Sequence, residues 1–578
     1  MAETGTQDWP QRNWAIAILG ALFGLAIQQL AEGTKADDAV HAALATALMT
    51  GGVVFAFTLD RDRIRHSVAF ALLSALLVGA TVYLNSGLAE MDTGEGWKLL
   101  CSVLAVVVAA PLFQAWCDAG QPQPRLTALA YPRVHDRAWM NILLWFACWA
   151  FAAVVFLLGQ LLAELFSLIG IRLVRKAMEE SWFVAMLMGG AFGAASGLLR
   201  DRESLLVTLQ TVVRRVLSVL GPVLGFGLIL FLLALPFTGL HALWEATKST
   251  TPILLSCVVG ALILSNAAIG DSSEDETHVA ILRWGATALG VAMLPLAIIA
   301  AISTGLRIAQ YGLTPERLWA VVFVGIALAF GGGYLWVILR QRMGWFAGVR
   351  PLNLWLAAGL CLLAFLLATP LVNFGAWSTA SQLARLESGK VSVAKFDWAA
   401  LRFSFGEPGR HALKKLARTG SPDVRKAAAK ALALTNVWDA RTQQEDAMGA
   451  ETLVGRLIVK PVAVALPQPL LARLSRYDAC GRVGRCVIFY ATGAQEAVVA
   501  GMPCDTCGIS AQRLVRDAAS GTWEWDAAKA SAPPLSDADL AAKNKADMDA
   551  LRNGNVEVRA VERRQVFVAG KPVGVPFE

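Results

Sequence analysis

Residues 284–304 read WGATALGVAMLPLAIIAAIST, twenty-one consecutive positions without one charged side chain. A helix rising ~1.5 Å per residue needs about 20 mostly apolar residues to cross a hydrocarbon core of ~30 Å. Backbone N–H and C=O groups find no water there, so a helix that satisfies them internally is the expected conformation. Arg283 and Arg307 stand outside the two ends, which is the flanking pattern of a span. Working outward, ten more stretches of this kind follow: Trp14–Ala31, Ala39–Leu59, Ser67–Leu88, Leu99–Trp116, Ala138–Ile169, Ser181–Leu199, Leu217–Leu240, Thr251–Gly270, Leu318–Leu339 and Pro351–Pro370. Eleven spans are therefore expected. The flank of the first, MAETGTQDWPQRN, carries one basic and two acidic residues, and no small-x-small cleavage site follows, so this segment is expected to stay as a span.

The composition agrees with this reading and adds a division. Of 578 residues, 56% are hydrophobic and 16% charged, with a mean hydropathy of +0.53. Soluble domains carry roughly 25% charged residues, so a single cytosolic domain, a disordered chain and a fibre are all excluded. Residues 1–370 hold 23 Lys+Arg and 23 Asp+Glu, whereas residues 371–578 hold 28 and 21, so the whole net charge of +7 sits in the last third. The expected fold is an all-α polytopic membrane bundle over residues 1–370, a helical juxtamembrane segment over 371–440, and a small soluble α+β domain over 441–578.

Basic residues beside spans set orientation. With the N-terminus in the cytoplasm, the inside loops hold 15 Lys+Arg and the outside loops 8. That bias favours an N-terminus inside, and an odd number of spans then puts the tail in the periplasm. The loop Ile171–Glu180, with Arg172, Arg175 and Lys176 on the outer side, runs against the bias.

Several spans carry packing chemistry. In MGGAFGAASG, Gly189, Gly193 and Gly197 recur every four residues on one helix face, the pattern that lets two backbones approach closely. Pro111, Pro236 and Pro295 lie within or near apolar runs and are expected to kink helices. Asn85 and Asn266 are expected as interhelical hydrogen-bond donors or span ends. Residues 201–217, DRESLLVTLQTVVRRVL, alternate apolar and arginine positions at helical spacing and read as a helix lying along the cytoplasmic interface.

Between the ninth and tenth spans the chain reads LRIAQYGLTPERLWAVV. Gly312 suits the left-handed end of a helix, Thr314 an N-cap, and Pro315 the first position of the next helix. Arg307, Tyr311, Glu316 and Arg317 crowd this tight turn, making it a candidate binding or hinge site as well as a structural one. YGLTPERLW at 311–319, together with SQLARLESGKVSVAKFDWAALRF and GRHALKKLA within 381–417, resembles the bacterial domain-of-unknown-function 4153 family of polytopic membrane proteins. The resemblance implies a bacterial inner-membrane location and supplies no activity or catalytic residues; residues 450–578 lie outside it.

The tail changes period. AALRFSFGEPGRHALKKLA reads as helix interrupted at Gly406–Pro408–Gly409, and SPDVRKAAAKALALTN as a helix capped by Ser421. From residue 452, LIVKPVAVAL, CVIFYATGAQEAVVAG, GTWEWD, NVEVRAV and RQVFVAGKPVGV read as strands, with hairpin turns at TGAQE and AGKP, and a helix is expected from Ser536 to Ala550. Cys480, Cys486, Cys504 and Cys507 fall within 28 residues. In a periplasmic domain they are disulfide candidates; zinc binding and thiol exchange at Cys504–Cys507 are the alternatives. A thioredoxin-like site would require a helix after CDTCG.

No phosphate loop, HExxH, GxSxG or dinucleotide fingerprint occurs, and the six histidines lack ligand spacing. The expectation is a non-enzymatic protein without cofactor or metal, partnered by the lipid bilayer and by an envelope component or another membrane protein, and not by nucleic acid. A transporter or lipid-handling protein is the second reading, and a membrane-tethered thiol oxidoreductase the third.

Overall fold

The computed structural model describes residues 10–32, 39–60, 63–85, 93–119, 129–246, 250–393, 395–434, 436, 453, 456–460, 464–476, 486–501, 510–517, 521–525, 564–568 and 571–577. Among the described residues eleven helices are long and apolar enough to cross a membrane, and each expected stretch falls on one of them. They are α1 (Pro10–Glu32), α2 (Ala39–Thr58), α3 (Ile64–Leu84), α4 (Thr93–Ala119), α5 (Tyr131–Leu168), α7 (Ser181–Asp201), α8 (Glu203–Ala246), α9 (Thr250–Ile269), α10 (Ala280–Tyr311), α11 (Pro315–Gln341) and α12 (Trp345–Ala368), with the short α6 (Leu173–Glu179) between the fifth and sixth spans. Large apolar side chains on these helices face outward, as Phe226, Phe237 and Trp336 do. In water such a surface would aggregate; against lipid it is the expected exterior. The protein is a multi-pass membrane protein in contact with the bilayer.

The first unit, residues 1–428, is organised around α10. Its Leu289, Ala292, Met293, Leu296, Ala297 and Ala300 are fully buried, with α8, α9 and α11 packed around it. Small residues set the closest approaches. Pro222 of α8 presses on Gly285 of α10, where a methyl group would meet proline atoms at 2.7 Å. Gly331 of α11 similarly lies against the Leu294 backbone. A second layer pairs α1 with α7, α2 with α3, and α4 with α12. Gly189 and Gly193 lie on the α1–α7 seam, where a methyl at Gly189 would run into the Gly20 carbonyl and one at Gly193 into the Ile16 carbonyl; Gly197 faces Asn13. The glycine face is thus filled by a helix of the same chain.

One expectation needs correction here. Residues 201–217 are not a separate interfacial helix. Residues 203–217 form the first part of α8, which runs unbroken into the seventh span and leaves helical geometry at Gly239 (φ 74°). No stop signal separates the arginines from the apolar run, so propagation continues. The arginines also divide, with Arg215 exposed and Arg214 buried. Of the expected prolines, Pro111, Pro236 and Pro295 all lie inside helices, as does Pro222.

After α12 come α13 (Phe374–Glu387), α14 (Trp398–Phe403), α15 (Gly406–Thr419) and α16 (Pro422–Ala433). The break expected at Gly406–Pro408–Gly409 falls one step earlier, at Ser404–Phe405. Proline is well tolerated in a helix's first turn, where its missing N–H has no intrahelical acceptor anyway. Gly406 therefore opens α15 instead of interrupting it.

The second unit, residues 429–578, contains a five-stranded sheet in the order β1 (Leu457–Lys460), β2 (Cys486–Phe489), β3 (Glu496–Gly501), β4 (Ser510–Arg516) and β5 (Trp523–Trp525). β1 and β2 are parallel, which demands a crossover, and α17 (Gln468–Arg476) lies in that connection. The remaining pairs are antiparallel. Leu470 and Leu474 of α17 close the core over Cys486, Ile488, Val499 and Leu514. The TGAQE turn joins β2 to β3 with Gly493 at φ 83°. β6 (Arg564–Val568) and β7 (Lys571–Phe577) form a separate antiparallel pair. The strand expected at NVEVRAV and the helix from Ser536 lie outside the described residues.

Candidate functional site

Two polar assemblies stand out in the membrane unit, at opposite ends of α10. At the end where α10 meets α11, α10 stops at Tyr311 and Gly312 turns with φ 78°. A side chain at Gly312 would be strained, and it would also collide with Arg385 and Gln382 of α13. Thr314 accepts from the Arg317 N–H as the N-cap of α11, and the Arg317 guanidinium donates to the Gly312 carbonyl at 2.6 Å while stacking over the Tyr311 ring. Three side chains of α13 then close on the turn. Gln382 donates to the carbonyls of Tyr311 and Leu313, both at 2.9 Å. Arg385 donates to the Gln310 carbonyl at 2.7 Å, and Ser381 accepts from the Leu313 N–H at 3.2 Å. The sequence YGLTPERLW and the sequence SQLARLE, seventy positions apart, are thus one hydrogen-bonded junction. Glu316 and Arg307 are exposed beside it.

At the other end lies an arrangement that sequence reasoning missed. Tyr334 of α11, fully buried, donates to Asn353 Oδ1 of α12 at 2.9 Å and accepts from Asn266 Nδ2 of α9 at 2.8 Å. Asn353 Nδ2 closes the ring by donating to Asn266 Oδ1 at 2.7 Å. Beyond the ring, the acidic loop 271–277 folds back between arginines from three helices. Arg350 of α12 donates to the Ile269 and Ser272 carbonyls and to Glu276 at 2.8 Å. Arg283 of α10 reaches the other Glu276 oxygen at 3.4 Å. Arg214 of α8 pairs with Asp275. A cavity of about 430 Å³ opens beside this loop, lined by Arg214, Arg215, Ser218 and Glu274 among others. Nearby, Tyr131 and His135 share a hydrogen bond at 3.0 Å, and Gln210 donates to Asp136 at 3.1 Å. A signal existed: DSSEDET and the three arginines all occupy loops or span ends of the same parity.

These groups serve binding and positioning better than covalent chemistry. Asp275 and Glu276 are held by guanidinium groups, and the ring of amides and phenol is internally satisfied. No group of three His, Cys, Asp or Glu residues suited to a metal occurs among the described residues.

In the C-terminal unit, Cys486 is buried on β2, while Cys480, Cys504 and Cys507 lie outside the described residues. SAQRLVR, downstream of CDTCG, is strand β4 and not the helix a thioredoxin-like site requires. The remaining cysteines, Cys101, Cys117, Cys148, Cys257 and Cys361, are free thiols within the spans.

The fold and these polar assemblies define a polytopic membrane protein with an appended mixed α/β unit. Residues 43–416 match the family described as domain of unknown function (DUF4153), and the chain belongs to that family. The match includes the junction between the α10–α11 turn and α13. No curated protein and no solved structure matches the chain.

Proposed function

We propose that this is a non-enzymatic protein of the bacterial inner membrane, with its N-terminus in the cytoplasm, whose C-terminal unit stands in the periplasm and binds or senses an envelope component. The observation that carries the reading is the sorting of basic residues, 15 against 8 across the loops of eleven spans. The independent core of the five-stranded sheet supports a folded binding module beyond the membrane. In that compartment Cys480, Cys486, Cys504 and Cys507 form two structural disulfides. A reporter fused at residue 578 that is enzymatically active only in the periplasm tests the sidedness. Activity is expected, and a silent periplasmic reporter with an active cytoplasmic one overturns the proposal. Alkylation before and after reduction checks the disulfides: four additional reactive thiols are expected after reduction.

A second reading, transport or lipid handling, is favoured by the buried Asn266–Tyr334–Asn353 ring and the ion-paired loop between spans. Ionisable groups buried within a membrane bundle mark substrate or ion pathways by default. Reconstituted protein that moves a lipid or solute, and loses that activity in Asn353→Leu, would favour it over sensing.

A further inference from the structure

Three helices begin around one cavity at the α10–α11 end. α11 starts at Pro315, α13 at Phe374 and α15 at Gly406, and residues at all three starts line a space of about 210 Å³. A helix start carries roughly half a positive charge on unsatisfied N–H groups. Thr314 caps α11 and Asn373 caps α13, each accepting from a first-turn N–H. α15 follows Phe405, which offers no side-chain cap.

Two cations add to these dipoles. Lys98 of α4 lines the cavity, with a 3.4 Å hydrogen bond to Asn85. Arg410 in the first turns of α15 also lines it and is paired with Glu407 at 2.8 Å. Glu407 is the one acid among the lining residues, and its side chain is largely exposed, so the balance inside is positive.

Trp319 supplies an independent indication. It lines the same cavity, is 2% exposed, and its indole Nε1 has no hydrogen-bond partner among the described residues. Its ring is fixed edge-on by Phe374, with centroids 5.0 Å apart. A buried N–H left without an acceptor is costly, and an anionic oxygen is the acceptor that lysine, arginine and helix starts would share with it.

We propose that this cavity binds a phosphate group, carried by an anionic lipid headgroup or by a soluble phosphate compound. Lys98 and Arg410 supply charge, the start of α15 supplies backbone N–H groups, and Trp319 supplies a neutral donor. The site is built by elements of the family-matched region and does not depend on which side of the membrane it faces.

Purified full-length protein in neutral detergent would be titrated with dioctanoyl phosphatidic acid and, separately, with inorganic phosphate. Saturable binding of the lipid alone identifies a headgroup site; saturable binding of both identifies a site for phosphate itself. Lys98→Gln and Arg410→Gln are each expected to weaken binding by about tenfold, the loss of one charge-assisted hydrogen bond. Trp319→Phe keeps a ring for packing and removes only the N–H, so it should weaken binding by a smaller factor. Each variant is compared at an unchanged gel-filtration profile. Binding of neither probe, or equal affinity in the wild type and all three variants, overturns the proposal.

Discussion

Tyr334 and Asn353 share a 2.9 Å hydrogen bond between α11 and α12, and Tyr334 keeps no solvent-accessible surface. The third member, Asn266, ties both to α9. Tyr334→Phe retains the aromatic ring but strands Asn353 Oδ1 and one Asn266 N–H. Interhelical hydrogen bonds in membranes average about 0.6 kcal/mol, whereas an unsatisfied buried partner costs about 1–3 kcal/mol. The second effect should dominate, giving a loss of about 1–2 kcal/mol in unfolding from mixed micelles. A neutral Tyr334→Phe would mean that water replaces the hydroxyl.

Glu276 provides a second test, because it is bonded by Arg350 at 2.8 Å and by Arg283 at 3.4 Å while only 15% exposed. Glu276→Gln removes the negative charge that two poorly solvated guanidinium groups share, and about 3–5 kcal/mol of stability should be lost. Arg175–Glu179 on α6 is the contrast, with side chains 51% and 65% exposed. Glu179→Gln should change stability by about 1 kcal/mol or less, and high salt should erase even that. The same unfolding measurement reads both variants.

Glycines of α7 and α11 predict effects of opposite sign for one chemical change. Gly189→Ala would drive a methyl group into the Gly20 carbonyl, forcing the helices apart at a cost of about 1–3 kcal/mol. At Gly325 and Gly332 of α11 a methyl meets nothing within 4 Å. Alanine there should be neutral or stabilising by up to about 1 kcal/mol, through its higher helix propensity. Thermal aggregation of the detergent-solubilised variants, followed by gel filtration, distinguishes the two cases.

The eleven spans were legible because length and apolarity are dictated by the bilayer itself. The turn at Gly312, Thr314 and Pro315 was legible because three residue preferences coincide there. The polar ring was not: Asn266 could be seen as an interhelical donor, but Tyr334 and Asn353 look like ordinary interruptions of apolar runs until three helices are brought together. Arg214 misled for a related reason. Its neighbours Leu209, Val212 and Val216 made an amphipathic stripe suggesting a membrane surface, whereas the partner that buries it, Asp275, lies in a loop sixty-one positions away. In the tail, SAQRLVR has no strict alternation, and it becomes a strand through pairing with β3 over six positions.

The junction of α13 with the α10–α11 turn has a mechanical consequence. Ser381, Gln382 and Arg385 grip the backbone of residues 310–313 immediately after the chain leaves α12. Tension on the chain beyond Glu387 is therefore transferred sideways to α10, the most deeply packed helix, before it can pull on α12. The last span is relieved of load, and its withdrawal from the bundle requires this grip to fail first.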